Sequence, residues 1–190
     1  MVGCKDLGVQ SNLDCLGRGL MKKFVLGLLV GLAIIPVTVY VYLWAGMAPV
    51  ATSAPPLPLE RRLTKMALNA RVAKEAPKDP PFAADETNLL AGAMVYQMNC
   101  AVCHGVPNKP RSPLEKGMFP KPPELLHGKG VSDDPPGESY WKIANGIRLT
   151  GMPGFKPALS ETELWQVTLL VANSDKLPTS VQTALAPSAH

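Results

Sequence analysis

The chain has 190 residues and a formal net charge of +4, with 19 Lys and Arg against 15 Asp and Glu. No basic stripe with interleaved aromatics runs through it, which excludes nucleic acid as a partner. Aromatics make up 6% while AVILMFWYC residues reach 46%, and much of that excess lies in one block near the N-terminus.

Residues 1–23 are expected in the cytoplasm. Up to residue 20 they carry no convincing periodic pattern. Met21-Lys22-Lys23 resembles a chain start, so residues 1–20 are read either as translated or as the product of an upstream start codon. Cys4 and Cys15 would then be ordinary reduced thiols. From Phe24 to Ala45 the run FVLGLLVGLAIIPVTVYVYLWA carries no charge, enough for one helix to cross a bilayer. Tyr40, Tyr42 and Trp44 gather at its far end, while Arg18, Lys22 and Lys23 precede it. That asymmetry predicts the N-terminus inside and the remainder outside. The run exceeds the usual signal core of about 7–15 residues, so an uncleaved anchor is expected over a cleaved signal. Small residues between Ala48 and Ala54 are what the cleavage reading would use. Both readings export the rest, and the anchor reading predicts a single-pass protein of a bacterial inner membrane with its main domain in the periplasm.

Residues 46–84 read as a linker. APVATSAPPLPL (48–59) is an extended spacer by composition. ERRLTKMALNARVAKEA (60–76) suggests a short exposed helix or stalk, its apolar face too thin for an independent core. PKDPPFA then breaks the chain.

The compact domain is expected over residues 85–177. Asp85 is a plausible N-cap, and Leu89, Ala93, Tyr96 and Cys100 recur at helical spacing. Gly92 sits mid-helix, where it costs stability unless another element needs close approach. Val106 to Pro123 (VPNKPRSPLEKGMFPKPP) reads as loop. A short helix follows over Glu138–Asn145, with Gly146 as its stop. Ser160 and Glu163 form a capping box opening a last helix to about Ala172. Residues 178–190 read as a flexible tail. From Asp85 onward nine Lys and Arg face ten Asp and Glu, so the domain is nearly neutral. It is all-α and has few large hydrophobes, and a domain of this kind needs something extra for a core.

NCAVCHG (99–105) supplies it. Cysteines three apart on a helical turn share a face, each thiol can add across one vinyl group of haem, and His104 presents its imidazole from the same side. C-x-x-C-H is the covalent haem-attachment signature. Other readings of Cys100 and Cys103 are weaker. A zinc ribbon needs a second pair, a thioredoxin-like site needs a βαβ setting, and an i,i+3 disulfide leaves His104 unexplained. Opposite His104, the candidates are His127, His190, Met94, Met98, Met118 and Met152. Gly151, Pro153 and Gly154 force the backbone around Met152 out of a helix and let it run against a flat ligand, which favours Met152 and leaves Met118 and His127 as alternatives.

From about Asp85 to Asp175 the chain resembles the class I c-type cytochromes with one haem. The resemblance is carried by a helix with Gly92 and Tyr96 leading into CAVCH, a Pro-rich loop, NGIRLTGMPGF, and a helix starting SETELW. It implies small helices around one covalently bound haem c, preceded by a single transmembrane helix. It also implies close crossing of the first and last helices at Gly92, with Tyr96 and Trp165 as packing residues. Met152 is the implied thioether ligand and His104 the other axial iron ligand, so that electrons pass through the haem edge. The His104 ring should be oriented by a carbonyl of the Pro-rich loop, with Pro113 suggested by analogy. Trp141, Asn145 and Arg148 fall where relatives place groups near the propionates; read plainly, they are solvent-facing residues, with Trp141 in the core.

The expected function is single-electron transfer, not enzymatic catalysis, between redox donor and acceptor proteins, with the membrane contacted through the N-terminal helix. The alternatives are a haem subunit of a larger membrane oxidase, reductase or dehydrogenase complex, and a haem enzyme or gas sensor with an open sixth position. Lys109, Arg111, Lys116, Lys121 and Lys129 could steer an acidic partner, though a solvated loop explains them more economically.

Overall fold

The computed structural model describes residues 9–127 and 131–186, and every regular element among them is helical. The chain divides into two units near Val50. The first holds α1 (Val9–Trp44), with Pro36 inside it. Its stretch Leu20–Trp44 is long and apolar enough to cross a membrane, and none of it is buried within the protein. Side chains such as Phe24, Leu32 and Ile35 stand well exposed. A continuous apolar surface of that kind marks a membrane or partner contact rather than a water-facing one. The helix starts at Val9, earlier than periodicity suggests. Cys4 lies outside the described residues, and so does the side chain of Cys15.

The second unit contains α2 (Glu60–Glu75), α3 (Glu86–Asn99), α4 (Ala101–His104), α5 (Pro113–Gly117), α6 (Pro136–Asn145), α7 (Glu161–Ala172) and α8 (Thr179–Leu185). Its ends are set by local chemistry. Asp85 accepts from the Asn88 amide at 2.9 Å, satisfying one orphan donor of α3. Both halves of the Ser160/Glu163 capping box are present at the start of α7. Gly146, at φ 69°, ends α6.

Helices α3 and α7 form the most extensive pairing in the unit, crossing at Gly92. A Cβ at Gly92 would lie 2.3 Å from the Gln166 carbonyl oxygen, so only glycine permits this approach. Tyr96 (0% exposed), Leu164 and Leu170 fill the core around the crossing. Trp165 is buried and stacks on Tyr140 from α6 with centroids 4.2 Å apart, an aromatic pair worth about 0.5–1.5 kcal/mol beyond its area.

Three expectations are corrected. The stalk helix α2 is not free: Val72 is 1% exposed, and Trp141 Nε1 on α6 donates to Glu75 Oε2 at 3.2 Å. A Cβ at Gly137 would lie 1.7 Å from the Pro77 carbonyl oxygen. The docking uses Val72 and the Glu75 carboxylate, while Leu63 and Met66 stay exposed, so counting the thin apolar face missed a contact made by one apolar residue, one polar side chain and the backbone. The segment from Thr179 to Leu185 is no flexible tail. It forms α8, which buries Val181 and Leu185 against the core, and Gln97 Nε2 on α3 donates to the Ala184 carbonyl at 2.6 Å. Two apolar residues four apart suffice to seat one helical turn. Residues 187–190, with His190, lie outside the described residues. Within the Pro-rich loop, α5 forms where Ser112 caps the Glu115 amide at 3.1 Å and Pro113 takes the first helical position.

Candidate haem cleft

Cys100 caps α3, and its carbonyl accepts from the Cys103 amide (3.1 Å) and the His104 amide (2.9 Å). One helical turn thus carries both cysteines and the histidine to one side. Gly105, at φ 74°, turns the chain away directly afterwards, and its carbonyl accepts from the Tyr96 hydroxyl at 2.8 Å. Both cysteines are half-buried and outside any disulfide. Burial, with a smaller contribution from Cys103, pushes the Cys100 thiol up to about 12.

The His104 Nδ1 lies 2.7 Å from the Pro123 carbonyl oxygen. A carbonyl only accepts, so Nδ1 carries the proton and Nε2 keeps its lone pair. Burial moves the imidazole below its ordinary value, against raising contributions from this hydrogen bond and from Glu115. The ring is therefore a neutral nitrogen donor of fixed tautomer. The orienting carbonyl belongs to the Pro-rich loop as expected, but it is Pro123 and not Pro113. Pro113 lies at the first helical position of α5, which takes its backbone out of the run that passes the ring.

Cys100, Cys103, His104 and Met152 all line one cleft with about 780 Å³ of atom-free space, its mouth included. Ile143, Ile147, Phe155, Val167 and Val171 complete much of the wall. The Met152 loop is fixed by backbone contacts to the end of α6. The Ile147 amide donates to the Met152 carbonyl at 3.2 Å, and the Phe155 amide to the Ile143 carbonyl at 3.0 Å. A Cβ at Gly146 would lie 2.5 Å from the Gly154 nitrogen, and one at Gly154 would lie 2.7 Å from the Asn145 carbonyl oxygen. The two glycines let the loop lie flat against the helix end.

Among the alternatives, Met118 also lines the cleft, and its Cε lies 2.0 Å from where a Gly151 Cβ would stand. His127 does not line it; its Nδ1 sits 3.6 Å from Glu124. Met94 and Met98 are exposed on α3. Trp141, Asn145 and Arg148 are likewise absent from the lining: Trp141 is occupied with Glu75, and Asn145 Nδ2 donates to the Trp141 carbonyl at 2.9 Å. Of the loop cations, Lys121 lines the cleft, Arg111 is engaged in ion pairs, and Lys129 lies outside the described residues. Sequence reasoning missed the deeply buried Glu115, whose only signal is its place three residues after the Ser112 cap.

The arrangement fits a flat apolar macrocycle. Two thiols on one edge, a neutral imidazole of fixed tautomer and a thioether share a largely hydrocarbon wall, and among the described residues no group of three His, Cys, Asp or Glu side chains could hold a metal ion by itself.

A family model described as cytochrome c oxidase, cbb3-type, subunit III matches residues 87–170. No curated protein matches the chain. A solved structure of the Kuenenia stuttgartiensis reducing HAO-like protein complex contains a chain similar to this one at 27% identity, with a TM-score of 0.45. The match covers 53% of this chain and 49% of that one, about half the length of each. The chain carries a c-type cytochrome domain, whose cofactor is covalently bound haem c. The apolar helix at its N-terminus fits a membrane anchor.

Proposed function

We propose that the domain moves single electrons through one haem c attached by Cys100 and Cys103, with His104 and Met152 as the axial iron ligands. The observation that carries this reading is the convergence of those four side chains on one apolar cleft. When bound, the haem supplies a one-electron iron couple, and a thioether opposite an imidazole favours a comparatively high potential. The remaining work is done by the chain. Pro123 fixes the His104 ring through Nδ1, the Gly146/Gly154 contact holds the Met152 loop, and the hydrocarbon wall excludes water from the iron's surroundings.

The proposed organisation keeps the boundaries suggested by the sequence: residues 1–23 in the cytoplasm, 24–45 across the bacterial inner membrane, and the haem domain from residue 85 in the periplasm. Redox proteins are the proposed donors and acceptors. A second reading, a haem subunit of a larger membrane oxidase, reductase or dehydrogenase complex, is supported by the family description, which names a subunit of an oxidase. Co-purification of the full chain with a larger complex from membranes would favour that reading, and recovery as a separate protein would favour the carrier.

The test is an absorption spectrum of the holoprotein, oxidised and reduced, for the wild type and Met152→Ala. Haem that survives acidified organic solvent supports attachment through Cys100 and Cys103. Loss of the weak red thioether–iron band of the ferric protein on substitution supports Met152. An unchanged band refutes it and brings forward Met118, which shares the cleft; carbon monoxide binding to the wild-type ferrous protein would instead support the enzyme or sensor reading.

A further inference from the structure

Glu115 is 1% exposed, an unusual position for a carboxylate, since burying an ion costs several kcal/mol unless it is paired. The local sequence places it there. Ser112 caps α5 through the Glu115 amide, and its own hydroxyl donates to the Val102 carbonyl at 3.1 Å. This ties α5 to α4, the turn that bears His104, and directs Glu115 inward. Its Oε2 would lie 4.0 Å from a Cβ at Gly105, next to His104.

Glu115 is ion-paired to Arg111, with Nη1 2.7 Å from Oε1; that oxygen has no directed hydrogen bond. Arg111 is shared. Its Nη2 lies 3.0 Å from Glu124 Oε1, its Nε donates to the same oxygen at 3.1 Å, and Nη1 reaches the Pro122 carbonyl at 3.5 Å. Pro122 and Glu124 flank Pro123, whose carbonyl orients His104. His127 approaches Glu124 from outside, at 3.6 Å and about half exposed. Two carboxylates thus share one guanidinium. Glu124 is 40% exposed and screened by water, whereas Glu115 is not. The field of Glu115 reaches both the His104 imidazole and the Tyr96 hydroxyl.

We propose that Glu115 is an electrostatic positioning residue, a buried anion held by Arg111 behind His104 that stabilises the oxidised haem and lowers its reduction potential. It acts through space and through the clamped Pro122–Glu124 segment, without touching the iron. Oxidation adds one positive charge at the iron, and a nearby unscreened carboxylate favours that state. The proposal rests on His104 being an axial ligand.

The experiment is a redox titration of the full-length holoprotein at fixed pH and ionic strength for wild type, Glu115→Gln, Glu124→Gln and Glu163→Gln. Glu115→Gln is expected to raise the potential, Glu124→Gln to raise it less because water screens that group, and the distant Glu163→Gln to leave it unchanged. A lowered melting temperature with an unmoved potential in Glu115→Gln would mean a structural pair and overturn the proposal, as would an equal or larger rise in Glu124→Gln. If Glu115→Gln yields no holoprotein, Glu115→Gln with Arg111→Gln serves, since removing both partners of a buried pair is commonly tolerated. The double variant loses one buried anion and one screened cation, so a smaller rise is expected and no rise overturns the proposal. Visible spectra separate the two readings. If His104→Ala leaves the haem spectrum unchanged, the axial assignment has failed; an intact His-dependent spectrum with an unmoved potential in Glu115→Gln fails only the present inference.

Discussion

Replacing Gly92 by alanine sets two known effects against each other. Within an isolated helix the change would stabilise by about 1 kcal/mol. At the crossing of α3 and α7, however, the new Cβ would stand 2.3 Å from the Gln166 carbonyl oxygen, 2.8 Å from its carbon and 3.2 Å from Leu170 Cβ. A carbon–oxygen contact is comfortable at about 3.3–3.6 Å, so α7 must retreat by roughly 1 Å. Two of the three nearest atoms are backbone, and no side-chain rotamer can relieve them. The overpacking cost should therefore reach the upper part of the usual range of about 1–3 kcal/mol. The net expectation is a loss of about 2 kcal/mol, which lowers the melting temperature by several degrees. Because Val167 and Val171 of α7 line the cleft, the Soret and thioether–iron bands should shift as well. Thermal and denaturant unfolding of the holoprotein, followed at the haem and by far-ultraviolet circular dichroism, reads both effects. A Gly92→Ala protein that melts higher than wild type, with unchanged haem bands, would refute the close crossing.

Two further predictions address the ends of α7 and of the domain. Leu185→Ala truncates a side chain that is 1% exposed and should cost about 2–5 kcal/mol in chemical denaturation; no loss would return α8 to the status of a loose tail. Glu163 lies below the ordinary carboxylate range, chiefly through the Ser160 hydroxyl and then the Ser160 amide, against a small raising effect of burial. A carboxylate depressed on folding contributes stability above its unfolded value, near pH 4.5, that is lost as pH falls through the lower folded value. The melting temperature of Glu163→Gln should thus fall less steeply than that of wild type below about pH 4.5, and parallel curves would exclude the capping-box contribution.

The sequence by itself determined the features that depend on near neighbours. The charge-free run 24–45 is legible because crossing a bilayer needs only length and apolarity, and the Asp85 cap, the Ser160/Glu163 box and the Gly146 stop because capping is completed within a few residues. Cys100, Cys103 and His104 declare their common face by spacing alone. Tertiary structure decided what depends on partners distant in the chain. Pro123 rather than Pro113 meets His104 because α5 folds Pro113 into a helical turn. Glu115 is buried because Ser112 ties that turn to the Val102 carbonyl. The linker helix docks through Val72 and the Pro77 carbonyl, and α8 seats two side chains that composition alone assigned to a tail. In each case the deciding contacts are one or two side chains or a backbone atom, which add little to a periodic pattern and become visible only once the opposing surface is in place.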